Sequence, residues 1–192
     1  MLSAGTRKII AIAASTGGVE ALEQLISSFP ATIPPVVLVL HMPPGFTKMF
    51  AARLNGKFAV SVKEAQSGDY LELGQILVAP AGKHMQIVSR MGKLAVDCFL
   101  GEKINSVMPS ADVLFESVAD LQRQNAVGVI LTGLGGDGAK GLLKMKNQGA
   151  PTIGQNKETS AIYGMPKVAK EMGAVQYELP LNRIAEKILS LV

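Results

Sequence analysis

Three short segments carry groups that could do chemistry together: Ser15-Thr16-Gly17-Gly18, His41-Met42-Pro43-Pro44-Gly45-Phe46-Thr47, and Thr132-Gly133-Leu134-Gly135-Gly136-Asp137-Gly138. Serine, histidine and aspartate are the groups that nucleophilic acyl transfer requires. A serine hydroxyl is too weak a nucleophile at its own pKa, an imidazole can take its proton, and a carboxylate can fix the imidazole tautomer. The chain order Ser, His, Asp differs from the orders of α/β-hydrolases, chymotrypsin and subtilisin, and the first segment lacks a Gly-x-Ser-x-Gly elbow. The α/β-hydrolase fold is therefore disfavoured.

Each of the three also has an ordinary structural reading. Ser15 could cap a following helix, although a capping box is absent because Gly18 and Val19 stand where Glu or Gln would be needed. The paired glycines point instead to backbone brought near a ligand, with free N–H groups for an oxyanion or a phosphate. His41 could be a structural residue at a strand end, stiffened by the Pro43-Pro44-Gly45 loop. Asp137 could be a turn residue, a helix cap or a magnesium ligand. Two other functions stay open on the residues alone. One is a module whose Gly-rich loops bind phosphate or a nucleotide, although neither loop matches Gly-x-x-x-x-Gly-Lys-Ser/Thr or Gly-x-Gly-x-x-Gly. The other is a catalytically silent docking domain.

The elements that must position these groups are legible in the apolar pattern. Lys8 to Ala14, Val36 to Leu40 and Ala126 to Leu131 read as buried strands, each running into a loop rich in Gly or Pro. Helical patterns follow at Val19 to Ser28, Thr47 to Leu54 and Ala139 to Gln148, with glycine stops after the last two. This alternation predicts a doubly wound α/β fold with a mostly parallel sheet, helices on both faces and right-handed crossovers. In such a sheet the loops at the carboxyl ends of the strands share one edge, where ligands bind. Gln75 to Ala79 and the pair Met85 to Ser89 and Leu94 to Cys98 predict antiparallel strands forming a small edge extension. A helix is expected from Pro109-Ser110 to about Arg123, with Ser110 as its cap. Beyond Gly149 the pattern predicts a strand at Thr152-Ile153-Gly154, a short helix from Glu158 to Tyr163, a break at Gly164-Met165-Pro166, and an amphipathic helix from Leu181 to Val192.

Composition narrows the class. At 192 residues and 48% hydrophobic content the chain fits one domain with a sizeable core. Its longest apolar runs fall well short of the roughly 20 residues of a membrane span, so a soluble protein is expected. A single cysteine, Cys98, excludes an internal disulfide and a Cys-based zinc cluster and makes the cytoplasm the default compartment. The net charge of +4 is spread along the chain without a basic block, which argues against nucleic acid.

At the three segments the sequence resembles the catalytic domain of the chemotaxis receptor methylesterases, the CheB family. The resemblance runs through Ile10 to Gly18, His41 to Thr47 and Leu131 to Ala139. It continues in Val78-Ala79-Pro80 with Lys83-His84-Met85, in Pro109 to Phe115, and in Tyr163-Gly164-Met165-Pro166. It implies that Ser15, His41 and Asp137 form a triad that hydrolyses glutamate methyl esters on methyl-accepting chemotaxis receptors and also deamidates receptor glutamines. It further implies an oxyanion held by backbone N–H groups of Thr16 and Leu134, with no metal and no organic cofactor. His84 lies in a family-like segment and is expected to be a structural turn histidine. The chain departs from the family at Leu134, where methionine is common, and at Gly136, where a polar residue is common and glycine would loosen the loop carrying Asp137. Family members usually carry an N-terminal phosphorylatable receiver domain. The expectation here is a tail or linker remnant at residues 1–7, a catalytic domain over 8–192 and no receiver domain in this chain.

Overall fold

The computed structural model describes residues 8–192, and the expected tail at 1–7 lies outside the described residues. In chain order the elements are β1 (Ile9–Ala14), α1 (Gly18–Ile26), β2 (Val36–Leu40), α2 (Phe46–Asn55), β3 (Ser61–Glu64), β4 (Gln75–Val78), β5 (His84–Arg90) and β6 (Lys93–Phe99). They continue with α3 (Ala111–Gln122), a 3₁₀ turn at Arg123–Asn125, β7 (Ala126–Ile130), α4 (Ala139–Asn147), β8 (Thr152–Gln155), α5 (Met165–Glu171), β9 (Tyr177–Leu179) and α6 (Leu181–Leu191).

Seven strands form one sheet in the order β3-β4-β2-β1-β7-β8-β9, with every pairing parallel. The central strands β1, β2 and β7 are buried along their whole length, which is why they read as continuous apolar runs rather than as alternation. Their alternate residues feed two cores. Ile10, Ile12, Leu38 and Val129 pack with α1, α2 and α6 on one face, while Ala11, Ala13, Val37 and Ile130 pack with α3, α4 and α5 on the other. From β1 the chain winds out through β2 to β4 on one side and through β7 to β9 on the other. The switch point of the sheet therefore lies at β1 and its neighbours.

Several expectations are corrected. β4 is not part of an antiparallel group but lies inside the parallel sheet, between β2 and β3. The antiparallel hairpin forms as expected, but β5 and β6 make a separate two-stranded sheet. Its Met85, Ile87 and Val96 join the core on the α3 side. Edge strands β3 and β9 were not foreseen. No helix forms over Glu158 to Tyr163; the segment is held by turns and by a parallel bridge from Tyr163 to Gly133. The predicted break at Gly164-Met165-Pro166 is instead the start of α5, with proline in the first turn, where its missing N–H costs nothing.

Candidate active site

The register of the three central strands sets the site. β1 pairs with β2 up to Ala14↔Leu40 and with β7 up to Ala13↔Ile130. The pairing continues one step beyond the strands. His41 N–H donates to the Ala14 carbonyl at 3.1 Å, and Ser15 N–H donates to the Thr132 carbonyl at 3.0 Å. Ser15 thus emerges between His41 on one side and the Gly-rich loop on the other. The close approach depends on Gly133, where a Cβ would stand 2.7 Å from Ser15 Cβ.

The Ser15 hydroxyl is not used as a cap. The N-cap of α1 is Gly17 in the left-handed region at φ 78°, without a side-chain cap bond. Among the described residues the hydroxyl has no hydrogen-bond partner, His41 included. Hydrogen bonds of this kind are commonly long in substrate-free sites and tighten when substrate binds.

His41 and Asp137 meet directly, with Nε2 2.9 Å from Oδ2. Asp137 is buried, and its carboxylate takes three further hydrogen bonds. Ser110 Oγ donates to Oδ1 at 2.6 Å, Asn105 Nδ2 to Oδ1 at 2.9 Å, and the Ala111 backbone N–H to Oδ2 at 2.6 Å. Burial pushes the Asp137 pKa up, but the bonds from His41, Ser110, Ala111 and Asn105 outweigh it, and the net shift is downward. The carboxylate is therefore ionised and accepts only, which keeps the proton of His41 on Nε2 and leaves Nδ1 as the basic nitrogen. The general template has the opposite ring orientation, with the carboxylate on Nδ1. Four protein donors also occupy the roughly four lone-pair positions of a carboxylate, which leaves none for the cation ligation weighed for Asp137.

Of the expected oxyanion donors, neither Thr16 N–H nor Leu134 N–H has a hydrogen-bond partner among the described residues. The next peptide, Thr16–Gly17, is anchored through the Thr16 carbonyl, which lies 3.0 Å from Thr132 Oγ1. Leu134 is 73% exposed. Gly136 does not leave the loop slack: a Cβ there would lie 2.9 Å from Val168 Cγ1, so α5 fills the space.

The shell around Asp137 was missed in the sequence. Ser110 does occupy the N-cap position of α3, but its hydroxyl makes no cap bond and goes to Asp137 instead. Asn105 was not singled out, yet its amide bridges Asp137 and the buried Asp112, whose other oxygen accepts the Gly141 N–H. His84 is buried at the start of β5, consistent with a structural role, and bonds Ser110 N–H and the Glu102 carbonyl. The available signals were the family-like segments Pro109 to Phe115 for Ser110 and Lys83-His84-Met85 for His84; Asn105 lies in neither.

Known proteins place this site in context. A chain titled the CheB methylesterase catalytic domain of Thermotoga maritima superposes with a TM-score of 0.95 at 39% identity, covering 97% of this chain and 100% of that one. A protein-glutamate methylesterase/protein-glutamine glutaminase of Rhizobium johnstonii is 54% identical over 188 residues, covering 96% of this chain and 53% of the relative. One of the same name from Sulfurimonas denitrificans is 52% identical over 191 residues, covering 100% and 54%. The chain spans about half the length of these curated relatives. The family model described as CheB methylesterase matches residues 10–188, from the second residue of β1 into α6. A match of that extent, together with the shared fold, means that the chain belongs to the CheB methylesterase family.

Proposed function

We propose that this chain is a protein-glutamate methylesterase that demethylates glutamate methyl esters on methyl-accepting chemotaxis receptors, releasing methanol, and that deamidates receptor glutamines. The single observation that carries the chemistry is the 2.9 Å His41–Asp137 bond at a sheet edge that Ser15 shares. His41 Nδ1 takes the proton of Ser15 as Oγ attacks the ester carbonyl. Negative charge on the carbonyl oxygen is met by the N–H groups of Thr16 and Leu134. The tetrahedral species collapses, the proton on His41 passes to the leaving methoxide, and methanol departs. Water then gives its proton to His41 and hydrolyses the acyl-enzyme, returning glutamate and Ser15. With glutamine as substrate the same route releases ammonia. Neither a metal nor an organic cofactor takes part in any of these steps.

The partners are the cytoplasmic helical regions of the receptors and, in a longer protein, a phosphorylatable receiver domain. Nucleic acid and direct membrane insertion have no place in this reading. We place its action in the cytoplasm, where the helical regions of the receptors lie; no helix among the described residues is long and apolar enough to cross a membrane. The deciding test is methanol release from methylated receptor membranes. Ser15→Ala should abolish release while leaving the circular dichroism spectrum unchanged; undiminished release would reject the assignment.

A further inference from the structure

We propose that His84 is a positioning residue for the triad carboxylate, its neutral imidazole joining the N-terminus of α3 to the Glu102–Asn105 segment so that Ser110, Ala111 and Asn105 all reach Asp137. The inference rests on the triad reading above.

His84 is 1% exposed, and both of its ring nitrogens are engaged. Nδ1 accepts the Ser110 N–H at 3.1 Å, and Nε2 donates to the Glu102 carbonyl at 2.8 Å. These two bonds specify one tautomer, with the proton on Nε2. The ring is confined from the sides as well. Phe99 lies 5.6 Å away between centroids, and a Cβ on Gly101 would stand 3.3 Å from His84 Cδ2. His84 bonds none of Ser15, His41 and Asp137.

What it does bond are the two segments that supply Asp137. The first N–H groups of a helix need partners from outside the helix. Here His84 takes that of Ser110 and Asp137 takes that of Ala111, while the Ser110 hydroxyl donates to the same carboxylate. On the other side of the ring, Glu102 lies three residues before Asn105, whose amide donates to Asp137 and Asp112. Three of the four donors to the carboxylate thus come from chain that His84 clamps. Losing the ring leaves the buried Ser110 N–H without a partner and lets both segments drift away from Asp137.

The test is steady-state methanol release from methylated receptor membranes by the 192-residue chain carrying His84→Leu, His84→Asn, Ser110→Ala and the two His84/Ser110 double substitutions. Ser15→Ala is the control. Leucine removes both ring bonds; the asparagine carbonyl can stand in for Nδ1 toward Ser110 N–H. The expected result is a kcat loss of at least about tenfold for His84→Leu at near-constant KM, with part of it recovered in His84→Asn. In the Ser110→Ala background the His84 loss should be clearly smaller than in the wild type, because both act through one carboxylate. Should His84→Leu fail to fold, the cycle with His84→Asn decides alone. Wild-type kcat in folded His84 variants, a loss confined to KM, or losses that multiply fully with Ser110→Ala would overturn the inference and leave the triad standing. Turnover retained by Ser15→Ala would remove the triad reading and this inference with it.

Discussion

Ser110, at the N-cap position of α3, donates its hydroxyl proton to Asp137 Oδ1 at 2.6 Å, and its oxygen accepts no backbone N–H of its own helix. A residue type that commonly starts a helix here holds a carboxylate 27 positions away in the chain. Hydrogen bonds to a charged group contribute about 1.5–3 kcal/mol. Ser110→Ala should therefore lower stability by about 2 kcal/mol in urea unfolding and reduce turnover about tenfold at unchanged KM, as read from methanol release. Asp137 keeps its bonds from His41, Asn105 and Ala111 in that variant, so a complete loss of activity is not expected.

Asp137→Asn should be far more damaging, for two separable reasons. An amide has one acceptor oxygen, so its NH₂ must face two of the four donors that now surround the carboxylate. It also ceases to hold the His41 proton on Nε2, and the general template puts that loss at ~10⁴ in turnover. The stability effect has a defined pH dependence. The folded pKa of Asp137 lies below the ordinary value of about 3.9, so its ionisation stabilises the fold fully above about pH 4. That contribution is lost as pH falls through the depressed folded value. The stability gap between wild type and Asp137→Asn should be widest near pH 7 and should narrow below pH 4, as measured by urea midpoints across that range.

The reach of the sequence reading has a physical boundary. β1, β2 and β7 were legible because both of their faces are buried, and the residues at their mouths followed from the parallel register. β3 and β9 were not, because Ser61, Lys63 and Glu178 lie on exposed edges and break the apolar pattern. The helix expected over Glu158 to Tyr163 loses to local side-chain bonds. Asn156 Oδ1 accepts from both the N–H and the hydroxyl of Thr159, and Ser160 Oγ donates to the Asn156 carbonyl, so the backbone turns instead of coiling. Residue types announced Ser15, His41 and Asp137. Ser110, Asn105 and His84 acquire their roles from long-range packing, and their types alone suggest caps and turns.

Thr132 ties three parts of the site together. Its hydroxyl accepts the Ile162 N–H at 2.9 Å and lies 3.0 Å from the Thr16 carbonyl, while its own carbonyl accepts the Ser15 N–H. Valine keeps the shape of threonine but cannot hydrogen bond. Thr132→Val leaves a buried polar contact unmade, at a cost of about 1–3 kcal/mol, and frees the Thr16 carbonyl, loosening the backbone one peptide beyond the one that carries the Thr16 N–H. Turnover should fall about tenfold, and Thr132→Ser should restore most of it. Equal turnover in the serine and valine variants would show that the hydroxyl does not orient Thr16.

Gly133 allows a separation of stability from catalysis. An alanine Cβ there would stand 2.3 Å from Met165 Sδ and 2.7 Å from Ser15 Cβ, and both contacts are too close to persist. The backbone of Gly133 lies outside the left-handed region, so the penalty is one of space rather than of conformation. The two neighbours can respond differently. Met165 Sδ is near the end of a flexible side chain and can swing aside, whereas Ser15 Cβ is fixed to a backbone pinned by the Thr132 carbonyl and moves only if the nucleophile moves. Gly133→Ala should therefore lose turnover far more than stability. Adding Met165→Ala opens room for the new methyl on one side only, so the double variant should be more stable than the sum of its single changes predicts. Its methanol release should stay as low as that of Gly133→Ala. Recovery of activity together with stability would mean that the alanine acts through Met165 and leaves Ser15 in place.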